Sequence, residues 1–171
     1  MKNTLPEPWL RGSRTDASPL IAPTLYAFEQ AREDLAAHTV GLTAAQIWAR
    51  PFGLAPAGFH LRHIAGSVDR LTTYLLGGQL DAAQMAALRE EMEPGASREE
   101  LLEGVNRALA AAAERMRSLD PAAFTESREV GRKRLPTTVI GLVVHLAEHT
   151  QRHVGQAISA AKLARAAGST A

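Results

Sequence analysis

Residues 138–160 read TVIGLVVHLAEHTQRHVGQAISA, and this stretch sets the expected fold. Val139, Leu142, Leu146, His149, His153, Gln156 and Ala160 recur at steps of three and four, the spacing that puts side chains on one face of an α-helix. The face begins apolar and then carries two imidazoles and an amide where further leucines would be expected. A buried polar ring without a partner costs roughly 1–3 kcal/mol. Two of them one turn apart call for a shared partner, and a divalent metal held between helices is the most economical one.

The rest of the 171 residues follow the same pattern. Hydrophobic residues make up 46% with abundant alanine and aromatics only 5%, a balance suited to packed helices rather than a β-sandwich. A first helix is expected from Ser18-Pro19, with Ile21, Leu25, Phe28, Arg32 and Leu35 as its stripe and Gly41 beyond its end. A short TAAQIWARP segment with Thr43 as cap and a PFGLAPAG loop lead to a second long helix over 57–76. Asp81 caps a short helix in DAAQMAALREEM, and Ser97-Arg98-Glu99-Glu100 opens a third long helix with Leu102, Val105, Leu109 and Met116 facing inward. The fourth runs from Pro136-Thr137 to about Ala167, and residues 1–17 read as an extended arm. One all-α domain over 1–171 results: an antiparallel-type four-helix bundle with short helices in its connections. The two long links, first to second and third to fourth helix, each permit a crossover.

Composition excludes several function classes. There is no cysteine, so disulfides, thiolate zinc sites and cysteine nucleophiles are out, and a metal must be held by His, Asp or Glu. The net charge of +1 gives no global attraction to nucleic acid or anionic membrane. No run approaches ~20 apolar residues, and the N-terminus lacks the apolar core of a secretory signal, so a cytoplasmic location is expected. Gly-rich phosphate loops and nucleophile elbows are missing. The one basic run, Arg128 to Arg134, reads as a solvated loop in preference to an anion clamp or a nucleic-acid contact.

The histidines are His38, His60, His63, His145, His149 and His153. His145, His149 and His153 span ~12 Å along a helix, too far for one ion to take all three at ~2.0–2.1 Å. His149 and His153 continue the apolar stripe and are the expected pair, with His145 at the edge. His63, on the flank of the second helix, is the best third ligand. His60, one turn earlier, ranks behind it as a pocket wall or proton carrier. Gln156 reads either as an outer partner of a ligand or a bound water, or as a group satisfying nearby backbone. Glu148 is expected to pair with Arg152 rather than to orient His60 or His63. Arg70 and Tyr74 follow His63 along its helix as pocket candidates or plain rim residues.

FHLRHIAGSVDRLTTYL at 59–75 and HLAEHTQRHVGQ at 145–156 resemble the two motif helices of the DinB/YfiT-like superfamily of metal-dependent bacterial proteins. The second motif is the more specific: a small residue, Glu148, His149, three residues, His153, then Gly155-Gln156. The resemblance covers most of the chain and implies a four-helix bundle, frequently a homodimer, with His63, His149 and His153 as ligands of zinc or nickel, or of iron or manganese. It further implies thiol-dependent transferase or related hydrolase chemistry on a small electrophile, with bacillithiol, mycothiol or glutathione as cosubstrate. No carboxylate on the stripe supplies a fourth ligand. Two other functions compete: a non-catalytic dimeric metal-binding or stress-response bundle, and a nucleic-acid binder acting through 128–134.

Overall fold

A computed structural model describes residues 5–168; the first four residues of the expected arm and the last three of the expected polar tail lie outside the described residues. Its elements are α1 (Ala22–Thr39), α2 (Ala44–Ile47), α3 (Ala57–Leu75), α4 (Ala82–Arg89), α5 (Arg98–Arg117), β1 (Ser127–Val130), β2 (Leu135–Thr138) and α6 (Val139–Gly168). The four long helices are α1, α3, α5 and α6, as the apolar periodicity predicts. Capping boxes at Thr43, Asp81 and Ser97 start α2, α4 and α5 by satisfying backbone N–H groups that have no partner within the helix.

Polar cross-links give the helix directions. Thr24 Oγ1 donates to Val143 O, Gln151 Nε2 to Ala27 O, and Arg165 Nη1 to His38 O, so α1 and α6 run parallel. His60 meets His153 and His63 meets His149, so α3 runs antiparallel to α6. Arg98 reaches Thr39 and Ala36 at the far end of α1, while Arg117 reaches Asp16 before its start, so α5 opposes α1. It follows that α3 and α5 are parallel, and Trp48 Nε1 ties the entry of one to Ala96 O at the entry of the other. Around the bundle the order is α1, α6, α3, α5. Both long links therefore cross the bundle ends between diagonal helices. The antiparallel-type expectation gives way to a bundle in which two of the four adjacent pairs are parallel. Because α3 and α5 are parallel, the chain between them must travel back along the bundle, and it does so through α4, packed on α3.

Four sequence readings change. Helix α1 begins at Ala22, with Pro23 in its first turn; Ser18 and Pro19 form the preceding turn, where Ser18 O accepts from Ile21 N and Ala22 N. The basic run is no simple loop. Ser127–Val130 pairs antiparallel with Leu135–Thr138, Gly131 and Arg134 take positive φ in the turn between them, and α6 starts three residues after Pro136. A proline is tolerated in such a two-stranded edge. On α5, Leu101 is the buried residue and Leu102 is only half-buried.

The fourth change concerns α6. Its fully buried line is Val139, Val143, Leu146, Thr150, Val154, Ala157 and Ala161, centred about 70° around the helix from the expected stripe, with which it shares Val139 and Leu146. His149 and His153 lie on the flank toward α3, half-buried, and Gln156 lies beyond them in solvent. Thr150 hides this shift in the sequence: a polar residue occupies the centre of the buried face, 0% exposed.

Its hydroxyl finds no hydrogen-bond partner. Thr150→Val is accordingly expected to raise stability by roughly 1 kcal/mol in urea unfolding, whereas Gln156→Ala changes it by less than about 0.5. A larger cost at Gln156 than at Thr150 would restore the original stripe.

Candidate metal centre

The site lies between the first half of α3 and the middle of α6. Phe59, His60 and His63 project from α3 across one turn, and His149 and His153 from α6 across the next. Antiparallel packing puts His63 opposite His149 and His60 opposite His153.

His63 Nε2 stands 3.0 Å from His149 Nε2. Ring centroids are 4.3 Å apart for His63 and His153 and 4.7 Å for His149 and His153. One nitrogen from each of His63, His149 and His153 falls within 4.8 Å of the other two. Two imidazole nitrogens sharing an ion at ~2.0–2.1 Å would stand about 2.9–3.4 Å apart at ordinary bond angles. The shortest gap already meets this, and small side-chain rotations close the others. The three donors thus fit one divalent cation.

Tautomers strengthen the fit. His63 Nδ1 lies 2.6 Å from Glu91 Oε2. A carboxylate accepts and does not donate, so the proton of neutral His63 sits on Nδ1 and its Nε2 presents a lone pair to His149. His149 Nδ1 is buried without a partner. Whichever nitrogen of His149 carries the proton, one polar atom of the pair is left unsatisfied, at a cost of about 1–3 kcal/mol. His60 Nδ1 and His153 Nδ1 are 3.1 Å apart, which one proton bridges. When His153 donates it, its Nε2 is left free.

Burial keeps His60, His149 and His153 neutral. Removal from water, and after it the charge His63 would carry, lower His60 and His149 to about 4; the same two causes, followed by the charges His149 and His60 would carry, lower His153 to about 3. Neutral imidazole is the form that binds metal.

Glu91 escaped the sequence reading. It is 4% exposed, and its second oxygen lies 2.8 Å from Arg70 Nη1. Arg70 is thus a buried ion-pair partner, neither rim nor pocket wall. No periodicity marks Glu91, because it lies on the return connection, 28 residues from His63. Phe59 was also missed: its ring stacks on His63 at 5.3 Å and 24° and meets His60 and His153 edge-on. Its position next to His60 and one helical turn before His63 was the available signal. Tyr74 belongs to the hydrophobic core, about 16 Å along α3 from His63. Glu148 pairs with Arg152 and with His145 Nδ1, leaving His145 at the exposed edge, 5.3 Å from the His149 ring. Gln156 lines an open groove of about 340 Å³ with Leu54, Ala55, Arg152 and Ser159, and His60 forms its wall toward the cluster.

A family profile described as the DinB superfamily matches residues 27–157. The chain belongs to the DinB superfamily. The matched span contains α3, the return connection with Glu91 and the histidine-bearing part of α6. A search of curated proteins found no match. Among the described residues, no helix is long and apolar enough to cross a membrane.

The lowered imidazole values set a pH dependence. An unfolded histidine titrates near 6.5, so as pH falls from 6.5 toward 4 the unfolded chain takes up protons that the folded site refuses. The metal-free protein is expected to keep this stability contribution above pH 6.5 and to lose it below. Its Tm should drop between pH 7 and pH 5, less steeply in His60→Gln. A Tm that is level or rising toward pH 5 would contradict the assignment of buried neutral rings.

Proposed function

We propose that this DinB-superfamily protein is a metal-dependent enzyme that transfers a low-molecular-weight thiol to a small electrophile. The observation that carries the reading is the set of three imidazoles from two helices, converging within 4.8 Å and lying on the flank of the core instead of inside it. Zinc and nickel suit such a nitrogen set best, and iron or manganese would be held less tightly. A cation held by His63, His149 and His153 would supply Lewis acidity and favour the thiolate form of a thiol at neutral pH.

The chain's own residues do the rest. His63, His149 and His153 supply lone pairs, and Glu91 holds the Nδ1 proton of His63 so that Nε2 stays available. Phe59 covers one side of the cluster and limits water there. The groove beside His60 offers Leu54 and Ala55 to an apolar portion of a substrate, and Arg152, Gln156 and Ser159 to a polar one. In the transfer, the sulfur lone pair would form the new bond to the electrophilic carbon while the bond from that carbon to the displaced group breaks, the bonding pair leaving with that group. The thiol proton leaves to solvent or to the displaced group.

A second reading has its own observation. The groove meets the cluster at His60, whose ring stands between it and His153. A bundle that binds metal without turning over a substrate matches that arrangement too. Nucleic-acid binding has the least support, since Arg128 is held by Leu75 O and Glu126, and Arg134 by Glu129.

Cobalt substitution separates the first two readings. Untagged protein is expected to take up about one equivalent of Co2+ and to lose it in His153→Ala. Glutathione or another small thiol should then add a sulfur-to-cobalt charge-transfer band, and the zinc form should consume thiol with small electrophiles faster than metal-free protein. Metal uptake with neither the band nor turnover supports the non-catalytic bundle. No uptake rejects both.

A further inference from the structure

Parallel packing of α3 and α5 forces the chain between them to return along the outside of α3, and this return path carries a residue into the metal centre. Gln84 Nε2 donates to Asp69 Oδ2 and Thr73 Oγ1 at one end of the path. The Arg62 guanidinium donates to Glu90 O and Glu93 O at the other, while stacking on Trp48 at 4.7 Å. Trp48 Nε1 in turn holds Ala96 O. Between these latches Glu91 turns inward, with one oxygen on His63 Nδ1 and the other beside Arg70.

The Arg70–Glu91 pair lies directly over the α3 backbone at Gly66. A Cβ there would stand 2.6 Å from Glu91 Oε1 and 2.7 Å from Arg70 Nη1, closer than real side chains approach. Gly66 has no positive φ, so backbone conformation does not require glycine. In mid-helix glycine costs about 0.5–1 kcal/mol relative to alanine. What the glycine provides is clearance. His63, Gly66 and Arg70 recur at steps of three and four, so they form one strip of α3 on which the carboxylate is seated.

We propose that Glu91, seated by Arg70 over the bare backbone of Gly66, is the positioning residue for His63, so that metal affinity depends on the docking of the return segment 82–97. This rests on the metal-centre reading above. Two consequences follow from the geometry. Docking of the segment fixes the proton on Nδ1 and directs Nε2 toward His149. Metal binding, which favours that orientation, in turn tightens the segment, because linkage between two sites is reciprocal.

The test compares full-length wild type, Gly66→Ala and a control, Gly104→Ala on α5, where an added Cβ meets nothing within 4 Å. Long-range 1H–15N NMR of the metal-free proteins reads the His63 tautomer, zinc titration reads affinity, and hydrogen exchange reads 82–97. Wild type and Gly104→Ala are expected to show the Nδ1–H tautomer and equal zinc affinity, with slower exchange over 82–97 when zinc is bound. Gly66→Ala should lose the fixed tautomer, bind zinc about 10–100-fold more weakly and show no zinc-dependent slowing. An unchanged tautomer and affinity in Gly66→Ala would overturn the proposal.

If Gly66→Ala does not fold, Arg70→Met/Glu91→Leu replaces the ion pair with apolar groups of similar size, an exchange that buried pairs often tolerate. The same loss of tautomer and affinity is expected there, and retention of both overturns the proposal. Wild type that binds no zinc would refute the metal reading, and the tautomer of metal-free His63 would still decide the role of Glu91.

Discussion

The close approach of imidazole nitrogens across α3 and α6 is the constraint around which this bundle is arranged. His63 Nε2 and His149 Nε2 face each other at 3.0 Å, His60 and His153 repeat the arrangement at 3.1 Å, and a buried carboxylate fixes the proton of one ring. Polar atoms withdrawn from water need partners. With a single bridging proton available to each imidazole pair and His149 Nδ1 left without a partner, the protein groups alone do not meet that need. A cation shared by three of the rings would take up lone pairs that otherwise oppose one another.

The topology supplies what that cluster requires. Antiparallel α3 and α6 present histidines from both helices at one level. The diagonal crossings at the bundle ends leave α3 and α5 parallel, and the return path they impose brings Glu91 to His63. Placement on the flank of α6, outside the line through Leu146, Thr150 and Val154, leaves His149 and His153 half-buried. They are dry enough to stay neutral, with values of about 4 and about 3, and still border solvent. That combination suits a centre that exchanges a small ligand better than one that is sealed.

Much of this was legible in the chain, and the gaps have physical causes. Helical periodicity and capping residues gave four long helices, because those signals are local. The grouping of His63, His149 and His153 followed from spacing on two helices and from the resemblance of both motifs. The exact face of α6 did not, since a buried threonine breaks the apolar line that periodicity follows. Neither did the hairpin at 127–138, where basic residues and Pro136 argue against strand and pairing alone decides. Glu91 is the instructive omission: a carboxylate in a connection looks like any surface residue, and only the direction of the neighbouring helices turns it inward. The glycine at 66 was in view throughout, but its reason is a side chain 25 positions away.

As a DinB-superfamily chain with three converging imidazoles, the protein stands or falls on whether those rings share one ion. X-ray absorption at the zinc edge of stoichiometrically loaded, untagged protein measures this directly. The account expects three imidazole nitrogens at about 2.0–2.1 Å, with the multiple-scattering pattern of intact rings and one or two lighter ligands completing the shell. A shell of oxygen atoms alone, or one with a single imidazole, would contradict it.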